Sequence, residues 1–265
     1  MYSPVQMVFK YLWYYITASN GRGHGVHSPF VFDFIQNVLH DDRHFYAYRQ
    51  IENLRQLVLN DHRILEIEDF GAGSKKNQSK NRKVSEIAKA ALKPAKFGQL
   101  LFRMVDKYAP AEILELGTSL GITSSYLAKA NANAFFTTME GAKSIAAVAR
   151  ENFKKLDLEN VVLIEGNFDD TLPEWLKAGK KIDLAFIDGN HRYEPTVRYF
   201  QQLLEAVDET SILIFDDIHW SREMEQAWKE IQDDPSVTLT IDLFFIGIVF
   251  FRKAFQQKQH VSIRF

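Results

Sequence analysis

Two apolar runs in the second half of the chain end in acid: Asp183-Leu-Ala-Phe-Ile-Asp-Gly-Asn-His191 and Ser211-Ile-Leu-Ile-Phe-Asp-Asp217. Short runs of this kind read as buried parallel strands. Asp188, Asp216 and Asp217 are therefore expected at strand carboxyl ends, where open α/β sheets bind ligands. Three carboxylates brought together there repel one another unless a cation or proton intervenes. A hard divalent ion such as Mg²⁺ answers that need with oxygen ligands and keeps positions for a substrate oxygen. His191 stands three residues after Asp188, and an imidazole, with an ordinary pKa of about 6.5, suits a general base. Other roles fit the same residues: Asp188 can contact a cofactor amino group, Asp217 can cap a helix, and His191 and His219 can be surface histidines.

A second constellation lies upstream, in Glu112-Ile-Leu-Glu-Leu-Gly-Thr-Ser-Leu-Gly-Ile-Thr-Ser-Ser-Tyr126. An apolar strand runs into Glu115, then into a small-residue turn with Gly117 and Gly121, then into a hydroxyl-rich helix start. That order builds a nucleotide-cofactor site: glycines let the backbone approach a ligand, and the new helix points N–H groups at negative charge. Glu140, 19 positions beyond Gly121, closes the next strand, where an acid accepts hydrogen bonds from ribose hydroxyls. Glu115 either orders the turn or faces the cofactor. Residues 117–122 read Gly-Thr-Ser-Leu-Gly-Ile, which lacks the Gly-x-Gly-x-x-Gly spacing of hydride-transfer enzymes.

The elements that must position these residues alternate. Strands are expected near 112–116, 134–140, 161–165, 182–188 and 210–216, with helices near 122–131, 143–157, 169–178, 194–207 and 221–232. Such alternation means a doubly wound, mostly parallel α/β sheet. Val237–Arg252 holds two strand-like runs with no room for a helix between them, so the sheet ends in an antiparallel hairpin. That predicts seven strands in a Rossmann-like fold. Three helical segments are expected ahead of the sheet, the second capped by Ser28 with Pro29 at its first position, the third over 45–59. Ile67-Glu-Asp-Phe-Gly-Ala-Gly-Ser74 mimics a cofactor turn, but a basic run at 75–83 follows instead of a helix start. It reads as a solvated loop, with a lid or an anionic-substrate anchor as its functional alternatives.

Domain expectations follow: a helical extension over 1–92 carrying the basic loop, a catalytic domain over 93–253, and a tail over 254–265. Val5, Val8, Phe9, Leu12, Tyr15 and Ile16 recur at helical spacing. They predict a helix that packs on the main domain or on a second subunit, with membrane-surface contact as the alternative. The stretch is too short to span a bilayer and lacks signal-peptide features. The aromatic N-terminus and the Gln259–Phe265 tail are candidate homodimer contacts.

The chain has 265 residues, 46% of them hydrophobic, enough for a sizeable core. Thirty-two basic against 34 acidic residues give a net charge of −2, which argues against a large nucleic-acid footprint. No cysteine is present, which excludes disulfides and thiolate sites and suits a reducing cytoplasm.

With these motifs in place, residues 95–253 resemble class I S-adenosylmethionine-dependent methyltransferases. The turn resembles their Glu-x-Gly-x-x-x-Gly form, with Ser119 where many relatives carry a middle glycine, as in catechol-type O-methyltransferases. The Asp-Gly-x-His and Asp-Asp runs resemble macrocin- and novobiocin-type sugar O-methyltransferases. The resemblance implies that Glu115, Gly117, Ser119, Gly121 and Glu140 bind the cofactor, and that the Thr123 hydroxyl holds its methionine carboxylate. It implies too that Asn167 and Phe168 border the adenine, and that Asp188 joins the cofactor site. Metal-dependent members place Asp, Asp and Asp or Asn at the positions of Asp188, Asp216 and Asp217. His191 stands where catechol-type enzymes carry a lysine. Sugar-type relatives carry an aspartate base at the position of Asn190, a departure that makes His191 the base to test here. The acceptor implied is a small-molecule hydroxyl. Competing readings are a nucleic-acid or protein methyltransferase, and a degenerate cofactor-binding protein without catalysis.

Overall fold

The computed structural model describes residues 1–19, 21, 28–67 and 81–265. The cofactor-turn mimic beyond Ile67, residues 75–80 of the basic run and residues 25–27 lie outside the described residues. Residues 81–83, expected in the basic loop, form a strand instead. The chain divides into two compact units, one of residues 1–41 with 179–265, the other of residues 42–178. Eight strands make up a mixed, mostly parallel sheet, one more than the seven expected.

The 42–178 unit begins with α3 (Tyr46–Leu59) and a small antiparallel pair, β1 (Ile64–Glu66) with β2 (Asn81–Lys83). Then come α4 (Val84–Ala91) and α5 (Ala95–Tyr108). The three-helix expectation missed both. Their signal is present: Val84, Ile87, Ala88 and Ala91 follow helical spacing. In α5, Phe97, Leu100, Leu101, Met104 and Val105 are buried, and Ala109 ends the helix in the left-handed region. Next follow β3 (Glu112–Leu116), α6 (Ile122–Ala130), β4 (Phe135–Glu140), α7 (Lys143–Lys155), β5 (Val161–Glu165) and α8 (Phe168–Leu176). β3 pairs in parallel with β4, and β4 with β5. The helical side of this unit is sealed by a core that includes Ile51, Leu54, Phe102, Tyr126 and Val148.

The other unit opens with α1 (Pro4–Thr17) and α2 (Pro29–Phe34), the latter running into a single π turn over Ile35–Leu39. Ser28 caps α2 with Pro29 at its first position, as expected. After residue 179 come β6 (Leu184–Ile187), α9 (Tyr193–Leu203), β7 (Ile212–Asp216), α10 (Arg222–Asp233), β8 (Leu239–Asp242) and β9 (Ile246–Phe250). β6 and β7 are parallel, and every residue in both is buried. That is the condition of a strand covered on two faces. β8 and β9 form the expected antiparallel hairpin. The tail supplies the eighth strand, β10 (Gln259–Ser262), which pairs in parallel with β8.

α1 docks within its own unit, through the face opposite to its apolar repeat. Tyr14 is buried beside Phe244, with Met7, Tyr11 and Phe245 packed around it. The Tyr14 hydroxyl donates to the Ile263 carbonyl. Val5, Val8, Phe9, Leu12, Tyr15 and Ile16 are exposed. Among the described residues no helix is long and apolar enough to cross a membrane.

Candidate active site

In the 42–178 unit, the chain leaves β3 and turns sharply. Gly117 and Thr118 donate to the Met139 carbonyl at 3.0 and 3.1 Å, and Gly121 closes the turn by donating to Thr118 at 2.9 Å. Gly121 adopts φ +78, and a Cβ there would come 2.6 Å from Phe153 Cε1, so this position needs glycine on both counts. Ser119 also takes a positive φ of 47. Buried Asn152 on α7 ties the turn down by donating to the Leu120 carbonyl at 2.9 Å. No side chain caps α6, which leaves its first-turn N–H groups to water or a ligand. Thr123 lies half-buried in that first turn.

The two glutamates of this region do different work. Glu115 is fully buried, and its Oε2 accepts from the Ser124 and Thr138 hydroxyls, the latter at 2.6 Å. It links β3, β4 and α6, the arrangement of a turn-ordering acid. Glu140, half-buried at the end of β4, accepts from the Ser119 N–H at 2.8 Å and the Ala142 N–H at 2.9 Å, one on each oxygen. A carboxylate held by one donor per oxygen is fixed in place and keeps lone pairs for two hydroxyls. Asn167 is the N-cap of α8, its side chain accepting from the Asp169 N–H at 3.1 Å, and Phe168 is the first residue of that helix, half-buried.

In the other unit, Asp188 follows β6 and Asp216 ends β7. Asp188, His191 and Asp216 offer ligand atoms that all lie within 4.8 Å of one another. Asp216 is buried, while Asp188 and His191 are about one-quarter exposed, with His191 Nε2 3.3 Å from Asp188 Oδ1. Tight backbone delivers the histidine: Asn190 and His191 both take positive φ, and the Asn190 amide donates to the Tyr199 hydroxyl at 3.2 Å. Two carboxylates and an imidazole are a donor set that fits a divalent cation. Asp217, expected as the third ligand, is not in this group. Its φ is +55 and its N–H donates to the Phe245 carbonyl at 2.7 Å, which turns the chain out of β7.

His219 has a separate place. Its Nδ1 lies 3.1 Å from Glu225 Oε1 and its Nε2 2.8 Å from Asp242 Oδ2. Burial by itself would lower its pKa, but the Asp242 and Glu225 carboxylates prevail and raise it to about 9. Burial likewise opposes ionisation of Glu225, yet hydrogen bonds from His219, Lys10 and Tyr2 take its pKa down to about 2. The two carboxylates favour the protonated ring, and His219 ties Glu225 of α10, which Tyr2 and Lys10 also reach, to Asp242 of the hairpin. Its partners lie 6 and 23 positions away, and no local pattern marks either as the partner of a histidine. Tyr193 is exposed and donates to Glu230. It lines an open depression of about 820 Å³ with Arg222, Glu225 and Lys229, which contains none of the expected site residues.

Comparison with known proteins converges on one architecture. Residues 114–218 match the family model described as a methyltransferase domain. A curated relative from Rattus norvegicus, a transmembrane O-methyltransferase homolog, is 34% identical over 117 residues. That match covers 41% of this chain, and the chain spans less than half of the relative, 43%. The SAH-bound Podospora anserina methyltransferase PaMTH1 superposes with a TM-score of 0.59 at 16% identity, covering 85% of this chain and 97% of that one. The O-methyltransferase from Bacillus cereus, in complex with SAH, superposes at 0.53 with 18% identity, covering 83% and 96%. These superpositions show a shared overall fold. Residues 114–218 thus match a methyltransferase-domain model, and the chain shares the Rossmann-like fold of these solved methyltransferases.

Proposed function

We propose that this protein transfers a methyl group from S-adenosylmethionine to a hydroxyl of a small molecule. The observation that carries the reading is the turn after β3, with Glu140 fixed beside it by the Ser119 and Ala142 N–H groups. Glu140 would accept from the ribose hydroxyls, and Gly117, Ser119 and Gly121 would pass along the cofactor. Thr123 and the first-turn N–H groups of α6 would hold its carboxylate. Glu115 orders the turn, and Asn167 and Phe168 border the adenine.

The acceptor oxygen attacks the sulfonium methyl carbon, the carbon–sulfur bond breaks, and the products are a methyl ether and S-adenosylhomocysteine. The hydroxyl proton goes to His191, whose ring Asp188 orients from 3.3 Å. Alignment accounts for much of the rate in such a displacement.

The convergence of Asp188, His191 and Asp216 favours a second reading of the same centre. A divalent cation held there, Mg²⁺ in the pattern of the resembled enzymes, would lower the acceptor hydroxyl's pKa and orient it. With Nε2 as a ligand His191 could not take the proton, and its nitrogen would favour Mn²⁺ or Fe²⁺ over Mg²⁺. Asp217 would then stand by as an outer partner. The working unit is proposed as a cytoplasmic homodimer with no nucleic-acid partner, the lack of cysteine suiting a reducing compartment.

Titration calorimetry on ligand-stripped protein tests this. S-adenosylmethionine binding in the micromolar range is expected, and no binding would overturn the methyltransferase reading. A separate Mg²⁺ or Mn²⁺ isotherm, lost in Asp216→Ala, would assign the cation. If it is lost also in His191→Ala, the imidazole is a ligand. A His191→Ala loss of activity with the isotherm kept assigns the base.

A further inference from the structure

The strongest unexplained feature of the surface is α1. Ser3 caps it with a reciprocal Gln6 contact, and Pro4 starts it. Its inner side is anchored: the Tyr2 hydroxyl donates to Glu225 at 2.6 Å, Lys10 reaches the same carboxylate at 2.8 Å, and Tyr14 reaches the β10 end of the sheet. A helix held this firmly presents a preorganised outer face. On that face Val5, Val8, Phe9, Leu12, Trp13 and Ile16 are 50–71% exposed.

We infer that this face is the contact between two copies of the chain, α1 packing against α1 across a two-fold axis. Four observations select a second copy. Residues 5, 8, 12 and 15 follow three-and-four spacing, the seam that interlocks helix with helix. The six side chains expose roughly 700 Å², close to the ~800 Å² that each partner buries in a standard interface. Lys10 is the only charged residue of α1, and it is spent on Glu225. An uncharged face meets its own copy without like-charge repulsion, as an isologous interface requires. A helix lying in a lipid surface instead carries a polar face rich in Lys and Arg, and here that side of the helix is occupied by its own unit. The inference does not depend on the catalytic reading.

The test is light scattering coupled to size-exclusion chromatography on the full chain. At 50 µM the expected mass is about 61 kDa, twice the 30.7 kDa protomer. Leu12→Asp places two carboxylates near the axis and is expected to shift the mass to one protomer, with circular dichroism and S-adenosylmethionine affinity unchanged. A monomeric native chain overturns the proposal, and so does a dimer that Leu12→Asp leaves intact. Should Leu12→Asp fail to fold, Leu12→Cys decides: the chain has no other cysteine, so a disulfide-linked dimer on oxidation supports the contact and its absence overturns it. Flotation of a monomeric native chain with phosphatidylserine vesicles would assign the face to a membrane and also overturn the proposal.

Discussion

The two acidic centres of this molecule are built on opposite principles. In the 42–178 unit each glutamate is met by donors: Glu115 by the Ser124 and Thr138 hydroxyls, Glu140 by the Ser119 and Ala142 N–H groups. In the other unit Asp188 and Asp216 converge on each other and on His191. The first arrangement lowers the cost of burying a charge and stiffens a loop. The second concentrates like charge, which costs stability until a cation, a proton or a substrate arrives. The two kinds of acid thus differ in what surrounds them, not in residue type.

Substitutions can break this contrast. The largest effect is expected from Asp216→Asn, a loss of at least about 1,000-fold in methyl transfer. Its melting temperature should stay level or rise, because one of two converging charges is gone, and a lower melting temperature would place Asp216 with the structural acids. Glu140→Ala should weaken S-adenosylmethionine roughly 100-fold by calorimetry, about 2.7 kcal/mol for two lost charge-assisted hydrogen bonds. An unchanged affinity would remove Glu140 from the cofactor site.

The His219 anchor gives the pH test. Its folded pKa of about 9 stands above the ordinary 6.5. The stabilisation is therefore full below about pH 6.5 and disappears as pH rises through about 9, on the order of 3 kcal/mol in all. Melting curves from pH 6 to pH 10 should fall in the native chain and flatten in His219→Gln. Glu225 belongs to the same ion cluster, so its contribution is not added to that figure. The smallest effect is expected from Glu115→Gln, about 1–2 kcal/mol by denaturant titration, because the amide oxygen can still accept from both hydroxyls but those bonds lose their charge assistance. A Glu115→Gln variant with native stability and weakened cofactor would transfer this residue to the binding set.

Legibility from sequence was uneven, for physical reasons. Strand and helix spans after Glu112 followed the hydrophobic period closely because buried parallel strands and amphipathic helices carry that period locally. α4 and α5 carry it too, in Val84, Ile87, Ala88 and Ala91 and in Phe97, Leu100, Leu101, Met104 and Val105. The apolar repeat of α1 announced a helix and a sticky face. It did not announce that Tyr14, Met7 and Tyr11 would dock the other side, since that choice depends on Phe244 and Phe245.

The sequence alone determined the fold class, the turn from Gly117 to Gly121, the placing of Glu140, and the arrival of Asp188 and Asp216 at strand ends. These are local properties, set by side-chain period, glycine conformation and spacing along one strand–turn–helix unit. Tertiary structure decided what each polar group meets. It put His191 rather than Asp217 with the two aspartates, made His219 an anchor through residues 6 and 23 positions away, and turned the apolar face of α1 outward. Such outcomes depend on which distant atoms arrive within 3 to 4 Å, and no local period encodes that.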